Sequence, residues 1–440
     1  MLPLTAMSAA AMLPHCHRHA GRASLAADAF PWHDARLAMP SSFPNSHPRS
    51  HLRSATASYA GLLLMTVCVY IIMYAPQPMF NNISRDFGAS RSLTGLCVSV
   101  FMLSLAVSPV CVGLFLGRAG LNRTLSITSM LLGASGFALY FSPNFWVFLG
   151  VRAIEALLVP VALTGVMAGI ASLFRHFDLK RALAGYVTSN LVGSMIGRIG
   201  GGWCAQYLGW RATLALACAL FFLAAPLLRN LPQGIRSGSR THSLKQYCAL
   251  LKNREIAGLM FVEACGIFVF AAVGNLLAFR MADLGKGQSE GLIGMMYLGY
   301  SIGLAVSLAL PFLLRAFRKK TRLMLAGSAI YVSSLILLLF PSAWALFACL
   351  CFMALGEFII HSICPGLINS AALRFHSCDR GMVNGLFLSC YYFGGVLGSY
   401  IPAVLYGAFG WAACCASLIL VQAASFLAIA AFSRQWEAIR

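Results

Sequence analysis

Apolar residues run along this chain in long uninterrupted blocks, separated by short segments that hold Arg, Lys, Pro and Asn. A bilayer core about 30 Å thick takes about 20 apolar residues as a helix. The blocks lack the every-second-residue alternation of a membrane β-barrel strand. They predict helices over 59–79, 93–116, 125–141, 145–174, 183–205 and 212–228, then over 256–279, 292–314, 323–340, 343–373, 382–405 and 412–432. The pattern is that of an all-α membrane protein with twelve transmembrane helices.

The pattern also repeats, and a fixed period is itself evidence of architecture. A shift of about 200 residues lays Leu105-Ala-Val-Ser108 on Leu304-Ala-Val-Ser307, Gly95 on Gly294 and Arg123 on Arg322. It also lays Gly185 on Gly385, Gly193 and Gly197 on Gly394 and Gly398, and Gly209-Trp210 on Gly410-Trp411. The expected organisation is two pseudo-symmetric six-helix halves, 56–228 and 255–433, joined by a polar linker over 229–254 and followed by a tail over 434–440. Residues 1–55 carry no apolar run long enough for a signal peptide and read as a disordered tail, with Met7, Met12 and Met39 as alternative starts. Gly193, Gly197 and Gly201 form one row on a helix face, as do Gly394 and Gly398, and small residues there let helix backbones touch.

Composition agrees: 59% of residues are hydrophobic and 10% charged, against about 25% charged in a soluble domain. The net charge of +20 could point to nucleic acid, but the basic residues sit between the helices. Eighteen, from Arg118 to Arg380, fall in loops on one side, and five, Arg85, Arg91, Arg211, Arg280 and Lys286, on the other. The positive-inside bias then puts both termini in the cytoplasm, with the inner face touching anionic lipid and no nucleic-acid partner. Fifteen cysteines show no CxxC or zinc spacing, so no metal or cofactor is expected.

Several stretches resemble the major facilitator superfamily, in its drug:proton antiporter-like branch that includes YnfM-type inner-membrane transport proteins. They are Tyr74-Ala-Pro-Gln-Pro78, Phe87-Gly88, Arg152, Gly185-Tyr186, Asn190, Gly197-Arg198, Gly209-Trp210-Arg211 and the eleventh-helix run from Asn384-Gly385 through Tyr391-Tyr392 to Gly398-Ser399. The superfamily's loop signature is matched at Gly113, Arg118, Gly120 and Arg123, but Gly117 stands where its aspartate belongs. The resemblance implies a monomeric inner-membrane transporter, not an enzyme, working by alternating access.

Only three acids lie well inside the predicted helices, Glu155, Glu263 and Glu357. A charged carboxylate costs a few kcal/mol at the bilayer centre, so each is a proton-coupling candidate. Arg152 and Glu155, three apart, can neutralise each other; Glu357 and His361, four apart, form either a relay or a packed pair. Glu263 has no charged neighbour one turn away. Arg198 keeps its proton and needs an acid, a carbonyl cluster or an anionic substrate. Tyr70, Tyr74, Gln77, Asn190, Tyr297, Tyr300, Asn384, Tyr391 and Tyr392 are candidates for lining a pathway. No phosphate-binding Gly-x-x-x-x-Gly-Lys loop is present, which argues against direct ATP drive. Three functions stay open: proton-coupled export of small amphipathic organic compounds, uptake or exchange of a small organic anion held by Arg152 and Arg198, and a non-transporting scaffold or channel.

Overall fold

The computed structural model describes residues 48–116, 120–174, 176–229, 231, 244–285, 289–373 and 380–438. The described residues are nearly all helical: α1 Pro48–Tyr74, α2 Phe80–Phe87, α3 Arg91–Leu116, α4 Leu121–Tyr140, α5 Phe145–Leu173, α6 His176–Met195, α7 Gly201–Ala219 and α8 Phe221–Leu228. After these come α9 Leu244–Leu251, α10 Arg254–Asp283, α11 Glu290–Met296, α12 Ile302–Phe317, α13 Lys320–Ile336, α14 Ala343–Leu373 and α15 Arg380–Glu437.

Nine helices among the described residues are long and apolar enough to cross a membrane. Two of them, Arg181–Leu228 with 48 residues and Met382–Glu437 with 56, are about twice the length a bilayer core needs. Each turns at a glycine, Gly209 (φ 77°) and Gly410 (φ 80°), in a conformation that side chains with a Cβ rarely adopt. Counting these two double gives eleven; the expected twelve needs the 20-residue α4, which is not among the nine.

Helix ends differ from the apolar blocks in two places. The first helix starts at Pro48, so residues 48–55 are helical where a disordered tail was expected. After Pro48, the next proline along the chain is Pro76, and the helix simply continues past the apolar block. The expected linker over 229–254 contains the short helix α9, and α10 begins at Arg254, capped by the Asn253 side chain on the Glu255 and Ile256 amides. The other expected N-terminal tail residues and half of that linker lie outside the described residues.

The repeat in sequence is a repeat in contacts. A methyl at Gly193 or Gly197 would lie 2.5 Å from the Val67 carbonyl oxygen or 2.9 Å from that of Ile71, so this stretch lies backbone to backbone on α1. One repeat later, a methyl at Gly394 or Gly398 would lie 2.3 Å from the Ala264 oxygen or 2.0 Å from that of Phe268 on α10. Gly201 approaches Ala75 in the same way. Dispersion and close packing substitute here for the hydrophobic drive that lipid removes.

The halves meet at the end of the molecule that carries Gly209 and Gly410. There Gly202 abuts the Glu290 carbonyl, Gly294 the Arg198 carbonyl and Gly95 the Ser399 carbonyl. Arg91 pairs with Asp283 at 2.9 Å, Tyr406 donates to the same carboxylate, and Asn82 donates to Glu290.

Because the Gly398 contact is with main chain, which cannot move aside as a side chain does, Gly398→Val should lower the thermal-unfolding midpoint of the detergent-purified protein, a loss of about 1–3 kcal/mol by overpacking. Gly407→Val, at a glycine with open space around it, should leave the midpoint in place.

Candidate functional site

Two buried polar centres lie between the helices, and the first is built on a helix defect. Between α6 and α7 the chain makes one π turn, Ile196–Gly200, a widening that often marks functional positions. Gly197 brings this turn onto Ile71, and Arg198 projects from it. On the facing helix, Pro76 and Pro78 end α1 and leave Gln77 in a single 3-10 turn, Gln77–Met79.

Arg198 is 5% exposed. Its Nε donates to Gln77 Oε1 at 2.7 Å and its Nη1 to the Ser194 carbonyl at 3.3 Å. The guanidinium lies 3.8 Å from the Tyr74 ring centre and 5.3 Å from those of Tyr297 and Tyr300. Such contacts are worth about 2 kcal/mol each when desolvated. Among the described residues no carboxylate pairs with it. Because arginine only donates, Gln77 must present its oxygen to Arg198 and its amide to Asn275 Oδ1, at 2.7 Å. That leaves the buried Asn275 Nδ2 with no partner, and the Tyr300 hydroxyl is likewise unpartnered. Tyr297 donates to the Gly274 carbonyl at 2.6 Å.

The second centre joins α10 to α14. His361 Nδ1 lies 2.8 Å from Glu263 Oε2, and one ligand atom from each of Glu263, Glu357 and His361 lies within 4.8 Å of the others, all three residues buried. Glu357 and His361 share a face of α14, but the imidazole turns to Glu263 on the neighbouring helix. That partner was invisible to spacing along one helix. Gly266 makes the room: a methyl there would sit 2.2 Å from Glu357 Oε2. Glu263 Oε1 and both Glu357 oxygens have no donor. Tyr391 stands 5.1 Å from the His361 ring, and Tyr331, Cys265 and Cys364 are the other titratable groups near the acids. Two carboxylates and an imidazole this close could also hold a cation, although structural zinc uses four ligands.

The third acid lies elsewhere. Glu155 Oε2 pairs with Arg152 Nη1 at 2.6 Å, both residues fully buried. Ser135 Oγ and Cys218 Sγ lie 2.6 and 3.3 Å from Glu155 Oε1. Arg152 also donates to the Ile72 carbonyl at 2.9 Å and lies 4.2 Å over the Phe101 ring. Arg152 and Arg198 therefore serve different partners.

Tyr70 stacks on Tyr74 at 6.3 Å and comes near Tyr391 and Tyr392, so these tyrosines bridge the halves between the two centres. Asn384 is engaged with Asn369, at 2.9 Å, away from both, and Asn190 is buried with its Oδ1 unpartnered. Of the loop signature, Gly113 falls on α3, Gly120 caps α4, Arg123 is exposed, and Arg118 lies outside the described residues. Asn275, Asp283 and Glu290 were not singled out from sequence. Asn275 reads as an ordinary polar interruption of an apolar run, and the other two as loop acids. At the end where the halves meet, a cavity of about 920 Å³ is lined by Arg91, Arg280, Asp283, Tyr406 and Trp411 among others.

The profile of the Major Facilitator Superfamily matches residues 62–377. The chain belongs to that superfamily. It is similar to the uncharacterized transporter YgaY of Escherichia coli O157:H7, 24% identical over 379 residues, which are 81% of this chain and 92% of YgaY. It is similar also to the inner membrane transport protein YnfM of Escherichia coli K12, 23% identical over 357 residues, 78% and 83% of the two chains. Its fold matches that of a bacterial homologue of the human lysosomal transporter Spinster in an inward-facing and unoccupied conformation. The TM-score is 0.69, with 16% identity, over 90% of this chain and 97% of that one. A multi-pass membrane transporter of the superfamily is therefore what the sequence encodes.

In this superfamily member the Arg152–Glu155 pair has no exposure, so removing one partner strands the other. Arg152→Ala should cost about 3–5 kcal/mol, whereas Arg152→Met with Glu155→Leu should recover most of it. Thermal unfolding of the purified variants reads both.

Proposed function

We propose that the protein is a proton-coupled secondary transporter that exports small amphipathic organic compounds by alternating access, with both termini cytoplasmic in an inner membrane. The observation that carries this reading is the Glu263–Glu357–His361 cluster: buried acceptor oxygens with no donors, held between two helices of one half. A proton supplies the missing donor; its loss leaves negative charge that the apolar surroundings disfavour. Occupancy of the cluster then biases one arrangement of α10 and α14 over another.

The contact pattern supports the motion. Cross-half contacts gather at the Gly209 and Gly410 end, and the loop charge bias assigns that end to the outside. Rocking the halves breaks Arg91–Asp283 and Asn82–Glu290 and frees a compound lodged among the tyrosines. Arg152 and Glu155 neutralise each other and act as scaffold. Proton drive and outward direction are both open to direct measurement.

Everted vesicles carrying a respiration-generated proton gradient and a pH-sensitive dye provide it. Adding an exported aromatic compound, drawn from a panel of cations, neutrals and anions, should collapse the gradient in proportion to the protein present. Glu263→Gln and Glu357→Gln together should abolish that collapse at equal protein level. Wild-type proton flux in the double variant would sink the assignment.

A further inference from the structure

The Arg198 centre has the opposite deficiency to the acid cluster. Its guanidinium carries a full charge with no acidic partner, and around it lie the unpartnered Asn275 Nδ2, which only donates, and the unpartnered Tyr300 hydroxyl, which is free to donate. Its amide oxygens are already used, Gln77 Oε1 by Arg198 and Asn275 Oδ1 by Gln77. Gly274 lets Tyr300 and Gln77 pack closely on α10: a methyl there would lie 3.2 Å from the Tyr300 hydroxyl and 3.4 Å from Gln77 Nε2. The walls are aromatic, with Tyr74, Tyr297 and Tyr300 around the guanidinium and Phe270 stacked on Tyr300 at 4.3 Å.

We propose that this centre binds the carboxylate of an aromatic organic acid, so that the compounds carried are aryl carboxylates rather than cations. The carboxylate supplies the acceptors that Arg198, Asn275 and Tyr300 lack, in the charge-assisted geometry that arginine favours. The arene packs against the tyrosine rings. A cationic compound would meet an uncompensated guanidinium in a dry site, and a bare inorganic anion would leave the rings unused. The proposal rests on the transporter reading for what the site is used for, but binding itself requires no transport.

The test is equilibrium dialysis of the purified full-length protein against 1-naphthoate and its neutral isostere 1-naphthamide. The wild type should bind naphthoate at least about thirtyfold more tightly than the amide, the lower end of the range for loss of one partner of a buried charge pair. Arg198→Gln should bring naphthoate down to the affinity of the amide. Gly274→Ala should weaken naphthoate by crowding the Tyr300 hydroxyl, with the unfolding temperature of both variants recorded alongside. Comparison of acid and amide needs no variant, so a folding defect cannot hide the answer. Equal binding of acid and amide, no binding of naphthoate, unchanged affinity in Arg198→Gln, or equal displacement by inorganic phosphate would each overturn the proposal. Naphthoate binding without gradient collapse would remove the proton coupling alone. Gradient collapse driven only by cations would remove the carboxylate site alone.

Discussion

A charge inside an apolar bundle must be matched or removed, and this molecule meets that demand in three ways. Arg152 is matched by an acid on its own helix, with Ser135 taking up the spare carboxylate oxygen. Arg198 is matched only in part, by an amide oxygen, a carbonyl and aromatic faces. Glu263 and Glu357 have one imidazole between them. The cost of an unpaired buried charge is several kcal/mol, a large fraction of the stability of a whole domain. The first is charge-balanced, with Arg152 Nε alone left unpartnered. The other two are incomplete, and incomplete satisfaction in a folded protein is where ligands and protons enter.

The glycine contacts determine how such incompleteness is tolerated. Where Gly394 and Gly398 lie on α10, the two backbones are too close to slide independently, and the same holds for Gly193 and Gly197 on α1. Each half has further tight seams, Gly136 on Ala215 in the first and Gly327 on Gly356 in the second. In the proposed cycle motion falls to the boundary between halves, where side-chain bridges such as Arg91–Asp283 stand beside the close approaches of Gly95, Gly202 and Gly294. Polar bridges of this exposed kind are worth about 1 kcal/mol or less each, weak enough to be exchanged for others.

Much of this fold was written in the chain. Long apolar blocks and the 200-residue echo of Gly193, Gly209 and Gly398 follow from local rules, because helix length and close backbone contact each leave a mark on sequence. The Arg152–Glu155 pairing was legible for the same reason: both ends lie on one helix face. His361 with Glu263 was not, because 98 residues separate them and spacing along a helix says nothing about the next helix. The π turn at Ile196–Gly200 was hidden inside a run of glycines that also suits a regular helix. Gln77 was marked as a pathway residue, but its role as a relay from Arg198 to Asn275 emerges only when two prolines and a helix from the other half are placed around it.

Helix α10 connects the two incomplete centres. It carries Glu263 and the Gly266 notch at one level, and Gly274 and Asn275 twelve residues further on, a separation of about 18 Å at 1.5 Å per residue. Asn275 is tied through Gln77 to the first half, whereas Glu263 is tied through His361 to α14 within its own half. A proton that rearranges the acid cluster acts on a helix whose far end holds the cross-half amide relay. An anion that recruits Arg198 and Asn275 pulls on that relay from the other side. Coupling between two sites requires one element whose arrangement both of them bias. In the proposed cycle α10 is that element, and because Gly394 and Gly398 bind it closely to α15, a shift of α10 is passed to the α15 residues that close against α3. Acceptor-rich and donor-rich deficits at opposite levels of one helix make proton and carboxylate natural counterparts, without any direct contact between them.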